Sequence, residues 1–200
     1  MIGDVDVREI DVTRQGREPL IYWGIWGLVI VEAIVFGSLV STYFYLQVVA
    51  GEWPPAGTSP PSLLLPTINT GVLLASIPFI RISDQAVRAG HRGRLVFGLA
   101  VSLTLALVFL VIKGIEYSHL DFRWDSHAYG SAVYALTGFH AAHMIVLVLK
   151  TIVVITLAVR GYFRPWRDVG VLVNGLYWYF VIVIWIPLYL IVFISPRVLP

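Results

Sequence analysis

Five ionisable side chains lie where an apolar sequence gives them no water: Glu32, Lys113, Glu116, His140 and His143. Glu32 is near the middle of the run from Ile21 to Val49. At about 1.5 Å per helical residue it is roughly 16 Å into a bilayer. A charge at that depth costs at least about 3 kcal/mol, so the carboxyl group must be protonated, paired or turned toward protein. His140 and His143 share a helix face in Thr137-Gly138-Phe139-His140-Ala141-Ala142-His143. Two histidines could ligate a metal or haem, but no Cys or Asp beside them completes a site, and the preferred reading is hydrogen bonding across helices. His140, roughly 18 Å from its end of the span, reaches the depth of Glu32, so a Glu32–His140 pair is expected. Lys113 and Glu116 have the spacing of an i,i+3 ion pair, expected close to the interface. No phosphate loop, Ser/His/Asp order or water-exposed carboxylate pair appears, so no catalytic, cofactor-binding or metal residue is assigned.

The elements that must hold these groups are transmembrane helices. The chain has 200 residues, of which 58% are hydrophobic and 13% charged, which excludes a soluble globular domain and a disordered chain. A net charge of +2, with its arginines scattered over loops, gives no nucleic-acid surface. Cysteine is absent, which removes disulfides, thiolate metal sites and thiol nucleophiles. Five segments are long enough to cross, at 21–48, 62–80, 95–117, 128–159 and 171–195. The reading is an all-α integral membrane bundle of five helices, a single domain over 21–200 behind a polar tail over 1–20 with no signal peptide. Arg8, Arg14 and Arg17 in the tail, Arg81, Arg88, Arg92 and Arg94 in the second connection, and Arg160, Arg164 and Arg167 in the fourth are expected on the cytoplasmic side, with the C-terminus outside (periplasmic). Trp53, Trp124, Tyr129, Tyr162 and Trp166 fall near span ends, as an interfacial aromatic belt requires. Ala33, Gly37 and Ser41 form a small-residue stripe, read first as packing within the chain. Pro187 is expected to kink the last span or free a carbonyl.

Several segments together resemble subunit III of the haem–copper terminal oxidases, the cytochrome c oxidase subunit III family. They are Glu32-Ala33-Ile34-Val35-Phe36, Trp53-Pro54-Pro55, Leu65-Pro66-Thr67-Ile68-Asn69-Thr70 with Leu73-Leu74-Ala75-Ser76, Glu116-Tyr117-Ser118-His119-Leu120, Tyr129-Gly130-Ser131, the His140/His143 segment, and Tyr177-Trp178-Tyr179-Phe180-Val181 with Ile184-Trp185. The chain looks like the short five-helix form, which lacks the first two helices of the seven-helix form. The resemblance implies a non-catalytic subunit without haem or copper, those groups being in partner subunits. It would pack on catalytic subunit I in a complex that includes subunit II, bind phospholipid in a cleft, and support proton uptake. The complex would serve aerobic respiration as the end of an electron-transport chain, passing electrons from cytochrome c to oxygen with proton translocation. The expected location is a bacterial inner (plasma) membrane. Two departures stand out. The family's last span usually reads Trp-His-Phe-Val-Asp-Val-Val-Trp, and here Tyr179 takes the His position and Ile182 the Asp position. The acidic residue before Tyr129-Gly130-Ser131 is displaced by one, to Asp125. An accessory subunit of a nitric oxide reductase or a quinol oxidase is the nearest alternative, and a stand-alone proton-coupled carrier using Glu32 is a more distant one.

Overall fold

The computed structural model describes residues 20–165 and 168–198. The polar tail with Arg8, Arg14 and Arg17, together with Trp166 and Arg167, lies outside the described residues. The described chain is helical: α1 (Leu20–Ala50), α2 (Leu64–Ala75), α3 (Ile77–Arg88), α4 (Arg92–Ser118), α5 (Ala128–Val159), α6 (Val169–Tyr189), a π-helical segment over Leu190–Ile194, and α7 (Ser195–Val198). α2 with α3 makes one span, and α6 through α7 makes another, so five segments are long and apolar enough to cross a membrane. They alternate in direction. One end of the bundle carries Gly51–Leu63, His119–His127 and the C-terminal helix. The other carries the tight turn at 89–91 and the residues that follow α5, 160–165.

The helices follow from long apolar runs whose backbone has no water to bond, which makes internal i→i−4 bonding the available solution. The second span runs further than the polar residues Arg81 to Arg94 suggested. α3 continues to Arg88 because Ile80, Ser83, Ala86 and Val87 recur on one face and are buried, while Arg81, Gln85 and Arg88 face outward. The break between α2 and α3 has a local cause. Pro78 has no amide proton to donate to Leu74, and the buried Ser76 hydroxyl donates instead to the Leu73 carbonyl at 2.6 Å. Pro187 acts likewise near the end of α6, where the ladder widens into the π-helical segment directly after it.

α3 and α4 form a close hairpin. Gly90, with φ of +70°, supplies the left-handed turn, and Gly98 lets the helices approach, since a Cβ there would sit 2.6 Å from the Phe79 carbonyl oxygen. α4, α5 and α6 surround the main core, which holds Phe109, Leu136, Trp178 and Trp185. α1 packs on α5 and α6 along one narrow seam of Ile25, Phe36 and Tyr43, flanked by Val29, Val40 and Leu46. The rest of α1 faces outward, including Trp23, Ile30, Val31 and Ile34. Trp53 and Tyr129 depart from the expected interfacial belt. Both are buried, with Trp53 edge-on to Tyr43 and Tyr129 at ring distances of 5.2 and 5.0 Å, because the Gly51–Leu63 loop folds back over the bundle end. Trp124 and Tyr162 are exposed near their span ends.

Candidate functional site

Polar side chains join the helices wherever the seams would otherwise be purely apolar. Asn69 of α2 donates to the Phe109 carbonyl at 3.1 Å, Trp185 of α6 donates to Thr70 at 2.8 Å, and Trp178 donates to Thr151 of α5 at 3.1 Å. Such bonds give α2, α4, α5 and α6 fixed register without needing charge.

Glu32 occupies the α1 seam one turn before Phe36. Its carboxylate Oε2 is 3.0 Å from Nε2 of His143, not of His140. The expected Glu32–His140 pair is therefore corrected. Three residues turn a helix by about 300°, which leaves the two imidazoles about 60° apart around α5. That offset points His143 at α1 and His140 at α6, where its Nε2 donates to the Val181 carbonyl at 3.1 Å. The side chain of His143 is 9% exposed and that of Glu32 24% exposed, so the pair closes the core and opens toward the outside of the bundle.

The hydrogen bonds of His143 fix how many protons this pair holds. Its Nδ1 lies 2.8 Å from the Phe139 carbonyl, which can only accept, so Nδ1 carries hydrogen. The contact between Nε2 and Glu32 then requires one further proton, on the imidazole or on the carboxyl group. Either way the pair holds one shared proton and no net charge, which is the state a group at this depth tolerates. Phe36 and Phe139 enclose the imidazole at 5.2 and 4.6 Å, and Tyr177 stacks at 6.5 Å. Lys150 lies beyond, with its ammonium 4.2 Å from the Tyr177 ring centre.

Glu116 and Lys113 pair at 2.8 Å on α4. The i,i+3 pair forms as its spacing suggested, and it is enclosed within the bundle. Lys113 is 2% and Glu116 4% exposed, because the π-helical segment and α6 cover them. The aromatic rings of Tyr117, Trp185 and Phe193 stand 5.1, 5.1 and 5.2 Å from the ammonium.

The stripe of Ala33, Gly37 and Ser41 is exposed and does not pack within the chain, contrary to the first reading. A Cβ added at Gly37 meets nothing within 4 Å, and Ser41 returns its hydroxyl to the Gly37 carbonyl at 2.9 Å. The seam residues Glu32, Phe36 and Tyr43 take the inward face, so the adjoining stripe is left outside.

Sequence reasoning missed Asp84. It extends from α3 to accept a hydrogen bond from the Tyr179 hydroxyl at 3.3 Å, and Gly175 makes room, since a Cβ there would lie 2.7 Å from Asp84 Oδ1. The signal was the helical spacing of Ile80, Ser83 and Val87, which carries α3 past its charged residues. Tyr179 thus has a carboxylate partner from another helix, while Ile182 is buried among apolar groups. Among the described residues no group of three or more His, Cys, Asp or Glu side chains could hold a metal ion.

Fold and site together define a multi-pass helical membrane protein with a proton-holding acid–imidazole pair at the seam of its first span. A family model for cytochrome c oxidase subunit III matches residues 13–196. A cytochrome c oxidase subunit 3 from Thermostichus vulcanus is 31% identical over 175 residues, covering 87% of each chain. Others from Schizophyllum commune and Synechocystis sp. are 31% and 29% identical, covering 92% and 90% of this chain and 70% and 78% of theirs. The chain belongs to the cytochrome c oxidase subunit III family.

Proposed function

We propose that this subunit of a haem–copper oxidase does no redox chemistry of its own, and that it stabilises catalytic subunit I, binds phospholipid and supports proton uptake in the complex. Its location is then a bacterial inner (plasma) membrane, with the N-terminus cytoplasmic and the C-terminus periplasmic. The observation that carries the reading is the outward face of α1. It is mostly apolar, its exposed hydroxyls Ser38, Ser41 and Thr42 bond back to their own helix, and its small-residue stripe admits a neighbouring helix or acyl chain at close range. The Glu32–His143 pair opens onto that face, so a proton held there is next to whatever covers α1. Basic residues at the cytoplasmic ends of the spans, Arg88 and Arg160 among them, suit anionic lipid headgroups.

Purification of the tagged chain from its native membrane in mild detergent tests this. The expected preparation contains a larger subunit with a haem absorbance spectrum, together with phospholipid phosphorus. A lone, colourless monomer overturns the proposal.

A further inference from the structure

The core between α2, α4, α5 and α6 holds three acceptor atoms that nothing in the described chain satisfies. His140 spends its Nε2–H on Val181, which leaves Nδ1 a bare lone pair. Asn69 spends an amide hydrogen on the Phe109 carbonyl, and its Oδ1 has no donor. Glu116 receives Lys113 on Oε1, and its Oε2 has no donor. All three residues are at least 96% buried.

His140, Lys113 and Asn69 gather around Trp185 and Phe109, and Glu116 joins them through Lys113. The Trp185 ring is 4.8 Å from the His140 ring and 5.1 Å from the Lys113 ammonium. The Phe109 ring is 5.6 Å from His140 and 5.1 Å from Trp185, and the Phe109 carbonyl is the one that Asn69 holds. Lys113 follows Phe109 by one helical turn. Its ammonium has two hydrogens beyond the one given to Glu116, and neither reaches any of the three acceptors.

The missing chemistry is that of a small molecule able to donate twice and accept from an ammonium. Buried polar groups left bare are costly, and buried water ordinarily satisfies them with about three hydrogen bonds each. We propose that Lys113, Glu116, His140 and Asn69 line an internal hydration site that binds ordered water. Such a water donates its two hydrogens to two of the acceptors His140 Nδ1, Asn69 Oδ1 and Glu116 Oε2, a second water serving the third, and accepts from Lys113. It links the ion pair of α4 to the imidazole of α5, and it allows that pair to stay ionised inside a membrane span. Lys113 is thereby a positioning residue for the bound water.

Cryo-electron microscopy of the intact oxidase complex tests the site without any substitution. The expected map has a discrete water density within hydrogen-bonding distance of at least two of the four side chains. A map that resolves ordered water elsewhere in the protein interior and none at these atoms overturns the proposal. A second map, of the Asn69→Leu complex, is expected to lose density beside residue 69 while Lys113 and Glu116 keep their contact. Unchanged density in that map would show that Asn69 is no ligand and overturn the site as drawn.

Discussion

His140 and His143 are one turn apart on α5, yet one bonds a backbone carbonyl in the core and the other bonds Glu32 at the seam. Their roles separate in a double-mutant cycle. Glu32→Leu with His143→Phe is expected to show coupling of about 0.6–1.7 kcal/mol, the range for hydrogen bonds between membrane helices. Glu32→Leu with His140→Phe is expected to be additive, and the thermal dissociation of the complex reads both. Lys113 makes a sharper case. Lys113→Met leaves Glu116 buried without its cation and should cost about 3–5 kcal/mol, whereas the double variant Lys113→Met, Glu116→Leu should recover most of that loss in the same assay. The sequence carried Glu32, both histidines and the α4 pair as ionisable residues in apolar runs. It could not carry the choice of partner, because a 60° difference around α5 is smaller than depth counting resolves. The charge of the α4 pair was legible, but its burial depends on the π-helical segment that covers it.

At the scale of elements, glycine positions separate helix faces that pack inside the chain from those that do not. Gly98 faces the Phe79 carbonyl across the α3–α4 hairpin, where backbone cannot step aside as a side chain can. Gly98→Ala is expected to destabilise the folded chain by about 1–3 kcal/mol, measured as a lowered unfolding midpoint in detergent. Gly37→Ala, with open space around the added methyl, should leave that midpoint within about 0.5 kcal/mol of the parent. The five spans were readable from apolar length, since a membrane leaves a polypeptide few other choices. The extension of α3 was harder to see, because Arg81, Asp84 and Arg88 interrupt the apolar run while the buried stripe of Ile80, Ser83 and Val87 continues beneath them. Asp84 went unnoticed for that reason, along with its contact to Tyr179.

The whole molecule separates an interior joined by interhelical hydrogen bonds, with the Lys113–Glu116 pair enclosed in it, from an outward α1 face beside the Glu32–His143 pair. Its orientation can be tested directly, since the chain has no cysteine. A single cysteine at Arg123, in the loop at the Trp53 end, should react with a membrane-impermeant maleimide in intact cells, and one at Arg88 should react only after lysis. The last prediction concerns what the Glu32–His143 proton does. If it sits in a supporting subunit, Glu32→Gln keeps a neutral side chain that can still donate to His143 Nε2, so the seam should hold and the complex should assemble. Oxygen reduction on first turnover should match the parent, because no reacting group has been touched. Activity should then decline faster over repeated turnovers, with less phospholipid retained, because the seam beside the outward face of α1 has lost its ionisable carboxyl group. Stopped-flow oxygen consumption on the purified complex distinguishes the outcomes. Immediate loss of activity would place Glu32 in the proton path of the reaction, whereas an unchanged decay would make the pair purely structural.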